Sequence, residues 1–252
     1  MVRKGEDSMV RGTIDILKRV LDESQYTVAL LGSQMKEEAG FLGLKSAEKT
    51  YDIEKKYKMS PDYIFSSVYY NTRTDQFFEF YKNEIINVDL EPTESAYALA
   101  AMERAGKLQC IISNDVFELP QRAGCQNVIS LRGSIYQNKC LHCGKEYSIE
   151  YIRKAKGVPL CETCNSVIRP MVYLFGEMLD SRLMTKATEK VEKADVLLCI
   201  GTDLDSETFQ HYLKYFNGKK MVVIHEEEHY LDQNADIVFV DQPKNVLPKL
   251  GY

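Results

Sequence analysis

The 252-residue sequence predicts an α/β protein whose parallel sheet is covered by helices on both faces. Two observations predict this class: short, almost continuously apolar runs of strand length, and segments of helical periodicity that alternate with them. Such apolar strands are typical of parallel sheets that are buried on both faces. A third observation is the stretch from Ser134 to Val172, where both patterns fade and four cysteines cluster. It indicates a small module inserted into the sheet domain.

From the N-terminus, apolar residues at helical spacing predict a helix over residues 8–24. The apolar run Tyr26–Leu31 ends at a glycine and predicts a buried strand. Thr74–Ile86 is predicted to be a helix whose broad aromatic face packs in the core. A helix is also expected to open at Pro92 and to close at Gly106.

The remaining elements continue the alternation, and ligands of such sheets bind beyond the carboxyl ends of the strands. The residues just after each strand are therefore the first candidates for a site. Further strands are predicted at Leu108–Ser113, Val128–Leu131, Asp195–Ile200, Met221–His225 and Ile237–Val240, and further helices at Arg182–Ala194 and roughly Leu204–Phe216.

Composition and charge exclude several classes of function. Hydrophobic residues make up 44% and charged residues 27%, as in ordinary globular proteins. The net charge of -5 argues against direct nucleic-acid binding, and no apolar run is long enough to span a membrane. The charged N-terminal stretch lacks a signal-peptide core, and seven cysteines is an odd count. We therefore expect reduced thiols and a cytoplasmic protein without a membrane partner, of unknown oligomeric state.

Four cysteines have the spacing of a zinc site. Cys140-x-x-Cys143 is followed, after 17 residues, by Cys161-x-x-Cys164. This interval falls within the range of about 15–20 residues that is typical of zinc ribbons. Two such pairs complete a tetrahedron and leave no open coordination position, so the predicted zinc is structural.

A second metal motif is rejected. The stretch His225-Glu226-Glu227-Glu228-His229 matches the H-E-x-x-H pattern of zinc proteases, in which both imidazoles lie one turn apart on a helix. Here His225 directly follows an apolar run of strand type. The motif is therefore interpreted as a polar exit from a strand.

Several stretches around the cysteines resemble motifs of the sirtuins, which are NAD-dependent protein deacylases and occasional ADP-ribosyltransferases. Their order along the chain is more specific than any one of them. They are Leu119–Gly124 (L-P-Q-R-A-G), Leu131–Tyr136 (L-R-G-S-I-Y), Arg169-Pro170 with Phe175-Gly176-Glu177, Gly201–Leu204 (G-T-D-L) and the helical stretch Ser60–Tyr81.

The resemblance implies a Rossmann-like domain over residues 1–133 and 174–252, with a helical insert at about 44–88, and a zinc domain over residues 134–173. It also implies an NAD or ADP-ribose cleft between the two domains and an acylated or ADP-ribosylated protein as substrate. Substrate contacts are expected from Val172, Phe175 and Gly176. The positions expected to bind the cofactor are Gly32, Ser33, Gln34, Lys36, Asn114, Asp115, Phe117, Gly201, Thr202, Asp203 and His225.

The cofactor positions depart from the family pattern. Gln34 replaces a glycine where the cofactor presses close to the backbone, and Lys36 replaces a serine but could hold a phosphate by charge. Phe117 replaces an aspartate that grips the nicotinamide amide. Asp203 replaces a serine and would repel the pyrophosphate if it pointed inward. His225 replaces an asparagine and could still bond a ribose hydroxyl.

The two catalytic positions, Arg132 and Asp115, are also substituted. Arg132 replaces the histidine that acts as a base toward a ribose hydroxyl, and a guanidinium stays protonated at neutral pH. Asp115 replaces an asparagine. Because the two family residues face one another across the cleft, we expect Asp115 and Arg132 to form an ion pair where the nicotinamide ribose would lie.

Three functions follow from these substitutions. The first is a sirtuin whose deacylation is weak or lost. The second is ADP-ribosyl transfer or other altered NAD chemistry, with Asp115 as the carboxylate near the ribose. The third is a non-catalytic module that binds a nucleotide or a peptide.

Overall fold

The computed structural model describes residues 10–252. The first two residues of the predicted helix 8–24, the charged N-terminal stretch and the start of the predicted first domain lie outside this range. The strands are β1 (Val10–Arg11), β2 (Thr27–Leu31), β3 (Cys110–Ser113), β4 (Val128–Ser130), β5 (Gly133–Cys140), β6 (Glu146–Tyr147), β7 (Ile168–Val172), β8 (Val196–Ile200), β9 (Lys220–His225) and β10 (Ile237–Val240).

Twelve α-helices connect or cover these strands in the described part of the chain. Three single turns of other types follow helices or strands: a π-helical turn at Lys82–Ile86 and 3-10 turns at Tyr230–Asn234 and Leu247–Leu250. The helices are α1 (Ile14–Glu23), α2 (Gln34–Glu38), α3 (Ala47–Tyr57), α4 (Pro61–Ile64), α5 (Ser67–Thr72), α6 (Thr74–Tyr81), α7 (Glu94–Arg104), α8 (Leu119–Arg122), α9 (Ile149–Lys154), α10 (Ser181–Lys193), α11 (Gln210–Leu213) and α12 (Pro243–Val246).

The main sheet is parallel and has the order β1-β10-β9-β8-β2-β3-β4. Both central strands, β2 and β8, are buried along their whole length. From β2 the chain proceeds outward to β3 and β4, and later returns to β8 on the other side. The carboxyl ends of β2 and β8 therefore flank a topological switch point, where open α/β sheets bind their ligands.

Alternate residues of β2 point to opposite faces of the sheet, and helices cover each face. Ala29 and Leu31 pack in a core with α1 and α7, whereas Val28 and Leu30 pack with α10 and α11. The predicted α/β class, with helices on both faces of a parallel sheet, is confirmed.

Two parts of the chain lie outside the main sheet. The small lobe consists of the antiparallel sheet β6-β5-β7 with α9, and the helical insert consists of α3–α6 with the π-helical turn. One hydrophobic cluster joins them, because aromatic residues of α6 pack in the same core as Ile152 and Ile168 of the small lobe. The Lys82 ammonium donates to Gly157 O (2.6 Å) and the Arg153 guanidinium donates to Ile86 O (2.8 Å), which ties the insert to the lobe at two points.

Four predicted helices differ from the structure by two residues or more. The helix predicted over Thr74–Ile86 is α-helical only to Tyr81 and continues as the π-helical turn, and the helix expected to open at Pro92 begins at Glu94. The helix predicted over residues 8–24 begins at Ile14, because the Thr13 hydroxyl accepts a hydrogen bond from Ile16 N as an N-cap, and the residues before it form β1. The helix predicted over Leu204–Phe216 shrinks to α11. Its apolar residues are buried as expected, but tight turns rather than a continuous helix place them in the core.

Among residues 10–252, none of the helices combines the length and the apolar character that a membrane crossing needs.

Glu84, in the π-helical turn, is a buried carboxylate with three donors. Its oxygens accept hydrogen bonds from Lys49 Nζ (2.7 Å), Lys56 Nζ (2.8 Å) and Tyr57 OH (2.8 Å). Burial alone would raise the pKa of Glu84, but these hydrogen bonds outweigh it and hold the pKa at about 2, against an ordinary value of 4.5. The cluster therefore fastens α3 to the end of α6.

Replacing Glu84 by Gln is expected to lower the free energy of unfolding at pH 7 by about 2 kcal/mol, since charge-assisted hydrogen bonds are lost. The folded-state pKa is depressed, so the contribution is complete above the unfolded value of 4.5 and disappears as the pH falls toward about 2. Urea denaturation of wild type and Glu84→Gln between pH 7 and pH 2 measures this difference. Glu79→Gln, at an exposed position of the same insert, is the control. A difference that stays constant with pH would contradict the prediction.

Candidate functional site

The four predicted zinc ligands meet in the small lobe. The sulfur atoms of Cys140, Cys143, Cys161 and Cys164 all lie within 4.8 Å of one another. A tetrahedral zinc site with bonds of about 2.3 Å separates its sulfurs by about 3.8 Å, so the cluster fits zinc. The Tyr147 hydroxyl donates to Cys161 Sγ (3.0 Å) and supports a ligand from outside the tetrahedron. None of the four cysteines lines the cavity described next, which agrees with a structural metal.

A cavity of ≈ 530 Å³, here called the cleft, lies at the carboxyl ends of β2, β3, β4 and β8. The loops after these strands form one side, and the helical insert contributes Phe65 and Ile85 to the other. The predicted site residues that line the cleft are Ser33, Gln34, Lys36, Asn114, Phe117, Arg132, Phe175, Gly201, Thr202 and Asp203.

The other predicted site residues do not line the cleft. Gly32 lies beneath it, Asp115 and His225 are buried beside it, and Gly176 follows the lining residue Phe175. Val172 instead lines a neighbouring cavity of ≈ 440 Å³, which shares Tyr173 with the cleft.

Two glycines let the loops after β2 and β8 approach each other. A Cβ atom on Gly32 would lie 2.2 Å from Gly201 O, closer than any side chain allows. Gly201 has a φ of +62°, in the left-handed region that favours glycine. These contacts explain why both loops need glycine at the floor of the cleft.

Two amide side chains present unsatisfied oxygens in the cleft. Gln34 Oε1 and Asn114 Oδ1 are buried and have no hydrogen-bond partner among the described residues. A buried acceptor without a donor is costly, so both oxygens suit a ligand that brings hydroxyl or amide donors.

Phe117 gives the cleft an apolar wall. Its side chain is 1% exposed, and its ring centroid lies 4.6 Å from that of Phe41, which also lines the cleft. The side chain at this position is a phenyl ring, so it offers the cleft neither a carboxylate acceptor nor a negative charge.

The predicted ion pair between Asp115 and Arg132 is wrong. Asp115 turns toward its own loop, where its two oxygens accept hydrogen bonds from Phe117 N and Leu119 N (both 2.8 Å). Burial raises the pKa of Asp115, and these two hydrogen bonds oppose the rise. Among residues 10–252, no acidic oxygen lies within 4.0 Å of the Arg132 guanidinium. The backbone N–H groups of residues 117 and 119 thus occupy the Asp115 oxygens, in place of a side chain across the cleft.

Lys36 lines the cleft, and its ammonium has no hydrogen bond or ion pair to the residues that the structure describes. Burial lowers the pKa of this lysine, the charges of Asp115 and Glu37 oppose the change, and the nearby charge of Arg132 adds to it.

The imidazole of His225 joins two carboxylates at the end of β9. His225 Nδ1 lies 2.9 Å from Asp203 Oδ1, and His225 Nε2 lies 3.1 Å from Asp232 Oδ2. Each ring nitrogen of His225 therefore has a carboxylate within hydrogen-bond distance. Asp203 thus points toward β9.

Sequence reasoning missed Asp232, because no motif connects it to His225. The rejection of the zinc-protease motif is confirmed, since His225 ends a strand and His229 precedes the 3-10 turn Tyr230–Asn234. In the described range, the four cysteines are the only group of at least three metal-binding side chains that come together.

Comparison with known proteins agrees with this geometry. The profile described as the Sir2 family matches residues 32–207. The chain is 32% identical over 235 residues to an NAD-dependent protein deacetylase of Clostridium acetobutylicum, covering 93% of this chain and 96% of the relative.

Two solved structures are also similar. A sirtuin from a study of substrate affinity superimposes with a TM-score of 0.87 at 25% identity, covering 95% of this chain and 98% of the sirtuin. A complex of a Sir2 homologue with NAD gives a TM-score of 0.82 at 26% identity, covering 97% of this chain and 95% of the homologue. The chain belongs to the Sir2 family, the sirtuins.

Proposed function

We propose that this sirtuin binds NAD or ADP-ribose in the cleft, and that its deacylation of proteins is weak or lost. Arg132 is the observation that carries the proposal. It lines the cleft where the family has its histidine base, and no acidic group of the described residues pairs with it. A guanidinium stays protonated at neutral pH, so Arg132 cannot take a proton from a ribose hydroxyl.

Phe117 supports the loss of turnover. The family aspartate at this position would accept a hydrogen bond from the nicotinamide carboxamide, whereas a phenyl ring packed on Phe41 accepts none. A cofactor bound here would therefore lack the contact that orients its nicotinamide for departure.

Several features support retained nucleotide binding. The cleft lies at the switch point of the sheet, and the absence of side chains at Gly32 and Gly201 keeps space open at its base. Gln34 Oε1 and Asn114 Oδ1 offer buried acceptors to ribose hydroxyls, and Ser33, Thr202 and Lys36 offer donors to phosphate. When bound, NAD would supply an electrophilic ribose carbon.

A protein substrate is part of the proposal. Phe175 lines the cleft, and its carbonyl accepts a hydrogen bond from Ser67 N (3.0 Å), which holds the segment against the helical insert. The Arg169 guanidinium donates to both carboxylate oxygens of Glu177 (2.7 and 2.8 Å), which fixes the same segment to β7. Val172, Phe175 and Gly176 would guide an acylated or ADP-ribosylated side chain toward the cleft.

Calorimetric titration of the zinc-loaded protein with NAD and with ADP-ribose tests binding. Nicotinamide release in the presence of an acetylated peptide tests turnover, with the deacetylase of Clostridium acetobutylicum as the active control. We expect binding of at least one nucleotide and nicotinamide release near background. Failure of both nucleotides to bind would refute the binding part. Release at the rate of the control would refute the loss of turnover, and labelled ADP-ribose on the peptide would indicate transfer instead.

A further inference from the structure

The neighbouring cavity of ≈ 440 Å³, here called the second cavity, lies on the other side of a strand pair from the cleft. It is lined by residues from α8, β4, β5, β7 and α10 and from the ends of these elements, among them Glu118, Gln121, Gly133, Val172 and Leu183. Gly133 of β5 and Val172 of β7 lie opposite each other. Tyr173 N donates to Arg132 O (3.0 Å), and Arg132 lines the cleft. The β5-β7 pair therefore forms the wall between two spaces, and the volume of the second cavity suits a small molecule.

The lining of the second cavity contains one carboxylate without a counter-charge. Its charged residues are Glu118, Arg169 and Glu177. The Arg169 guanidinium donates to both oxygens of Glu177, so these two charges balance each other. Glu118 forms no ion pair with any of residues 10–252. The second cavity therefore carries a net negative charge, which favours a cation.

The backbone of Glu118 is strained. Its φ of +54° lies in the left-handed region, which glycine or asparagine adopts at lower cost. The turn alone therefore gives no reason for a glutamate at this position. Backbone strain of this kind clusters at functional sites, and here it occurs at the unbalanced carboxylate of the lining.

Gln121 supplies a second acceptor, one helical turn after Glu118. Arg122 N donates to Glu118 O (2.8 Å), which closes this turn. Gln121 Nε2 donates to Ser130 Oγ (2.9 Å) and so orients the amide, while Gln121 Oε1 is buried and has no hydrogen-bond partner among the described residues. A buried acceptor without a donor is costly, so a ligand that brings N–H groups would be stabilised here.

We infer that the second cavity binds a small organic cation that carries several N–H donors on an apolar body, such as an amidinium or a guanidinium. Two N–H groups of its planar head pair with the Glu118 carboxylate, and a third donates to Gln121 Oε1. Val128, Met171 and Leu183 supply apolar walls for the body of the ligand. The inference does not depend on nucleotide binding in the cleft.

Benzamidine, benzamide and benzoate are matched probes, since they share one ring and their head groups are positive, neutral and negative at neutral pH. We expect benzamidine to bind about tenfold more tightly than benzamide, and benzoate to bind more weakly than either. NMR titration of the ¹⁵N-labelled, zinc-loaded protein measures the three affinities. The preference for benzamidine should shrink as sodium chloride is raised.

Glu118→Gln keeps the size of the side chain and removes its charge, so it should give benzamidine and benzamide nearly equal affinities. Glu37→Gln, at an exposed acid that lines the cleft, is the control and should leave the preference unchanged. In the wild type, benzamidine should shift the amide signals of Gln121, Ser130 and Leu183 but not those of residues 33–36. This last measurement decides the location even if Glu118→Gln fails to fold.

Three outcomes would overturn the inference. The first is that benzamidine does not bind, and the second is that all three probes bind equally well. The third is a preference for benzamidine that Glu37→Gln abolishes and Glu118→Gln leaves intact, which would place the cation in the cleft. Because no probe is a nucleotide, failure of NAD and ADP-ribose to bind would refute the proposed function and leave this inference standing.

Discussion

Removing the zinc is expected to unfold the small lobe and to lower the melting temperature of the protein by more than about 10 °C. Two elements of the lobe are short, since β6 contains only two residues and α9 only six. Without metal, four sulfur atoms within 4.8 Å of one another lose their common ligand. The apparent binding free energy of a structural zinc is about 10–16 kcal/mol, which exceeds the stability of most small modules.

The effect should reach beyond the lobe. Because the small lobe and the helical insert share one hydrophobic cluster, loss of the lobe exposes aromatic residues of α6. Chelator treatment and Cys161→Ser should both reduce hydrogen-exchange protection in residues 74–86 as well as in the lobe. His142→Ala, an exposed position between two ligands, is the control and should retain zinc and melting temperature. An unchanged melting temperature in protein shown to be metal-free would contradict a structural role.

Restoring the family residues in the cleft is expected to restore turnover. Arg132→His alone should raise nicotinamide release about tenfold, and combination with Asp115→Asn and Phe117→Asp should raise it about 100-fold, because a positioned base contributes about 10²–10⁴ in rate. Initial rates with an acetylated peptide at saturating NAD measure the gain. Arg132→Gln removes the same charge without supplying a base, and it should give no gain.

The combined variant carries a cost in stability that must be measured beside its rate. Asn at position 115 brings an N–H₂ group toward one of two backbone N–H donors, and a buried group left unsatisfied in this way costs about 1–3 kcal/mol. Phe117→Asp also removes a buried ring from its contact with Phe41. The double variant Arg132→His with Phe117→Ala loses the ring without gaining a carboxylate. Its comparison with the variant that carries Phe117→Asp therefore separates the effect of the lost ring from that of the new carboxylate. A gain in Arg132→Gln equal to that in Arg132→His would show that charge removal, and not a base, is what matters.

Local signals were sufficient for six of the seven strands of the main sheet and for the metal site, but not for β1 or for the three strands of the small lobe. The predicted strand Asp195–Ile200 differs from β8 by one residue, because a fully buried parallel strand is apolar at every position. Each C-x-x-C pair places two thiolates where they can bind one metal ion, so the zinc cluster could be predicted without any knowledge of the fold.

Interactions between distant residues could not be predicted in the same way. Asp115 was expected to pair across the cleft, but the path of its loop brings two backbone amides nearer. Asp203 and Asp232 meet His225 only because β8, β9 and the following turn are adjacent in space. Likewise, the hydrogen bonds to Glu84 depend on how α3 packs against α6, which no spacing in the sequence encodes.

The pairing of β1 with β10 has a consequence for biosynthesis. Val10 lies opposite Ile237, so the two partners are 227 positions apart along the chain. While the ribosome is still adding residues, β1 has no partner and the outer side of β9 is open to other chains. This rim of the molecule therefore closes last, and nascent protein should be most vulnerable to aggregation and to chaperone capture until β10 emerges.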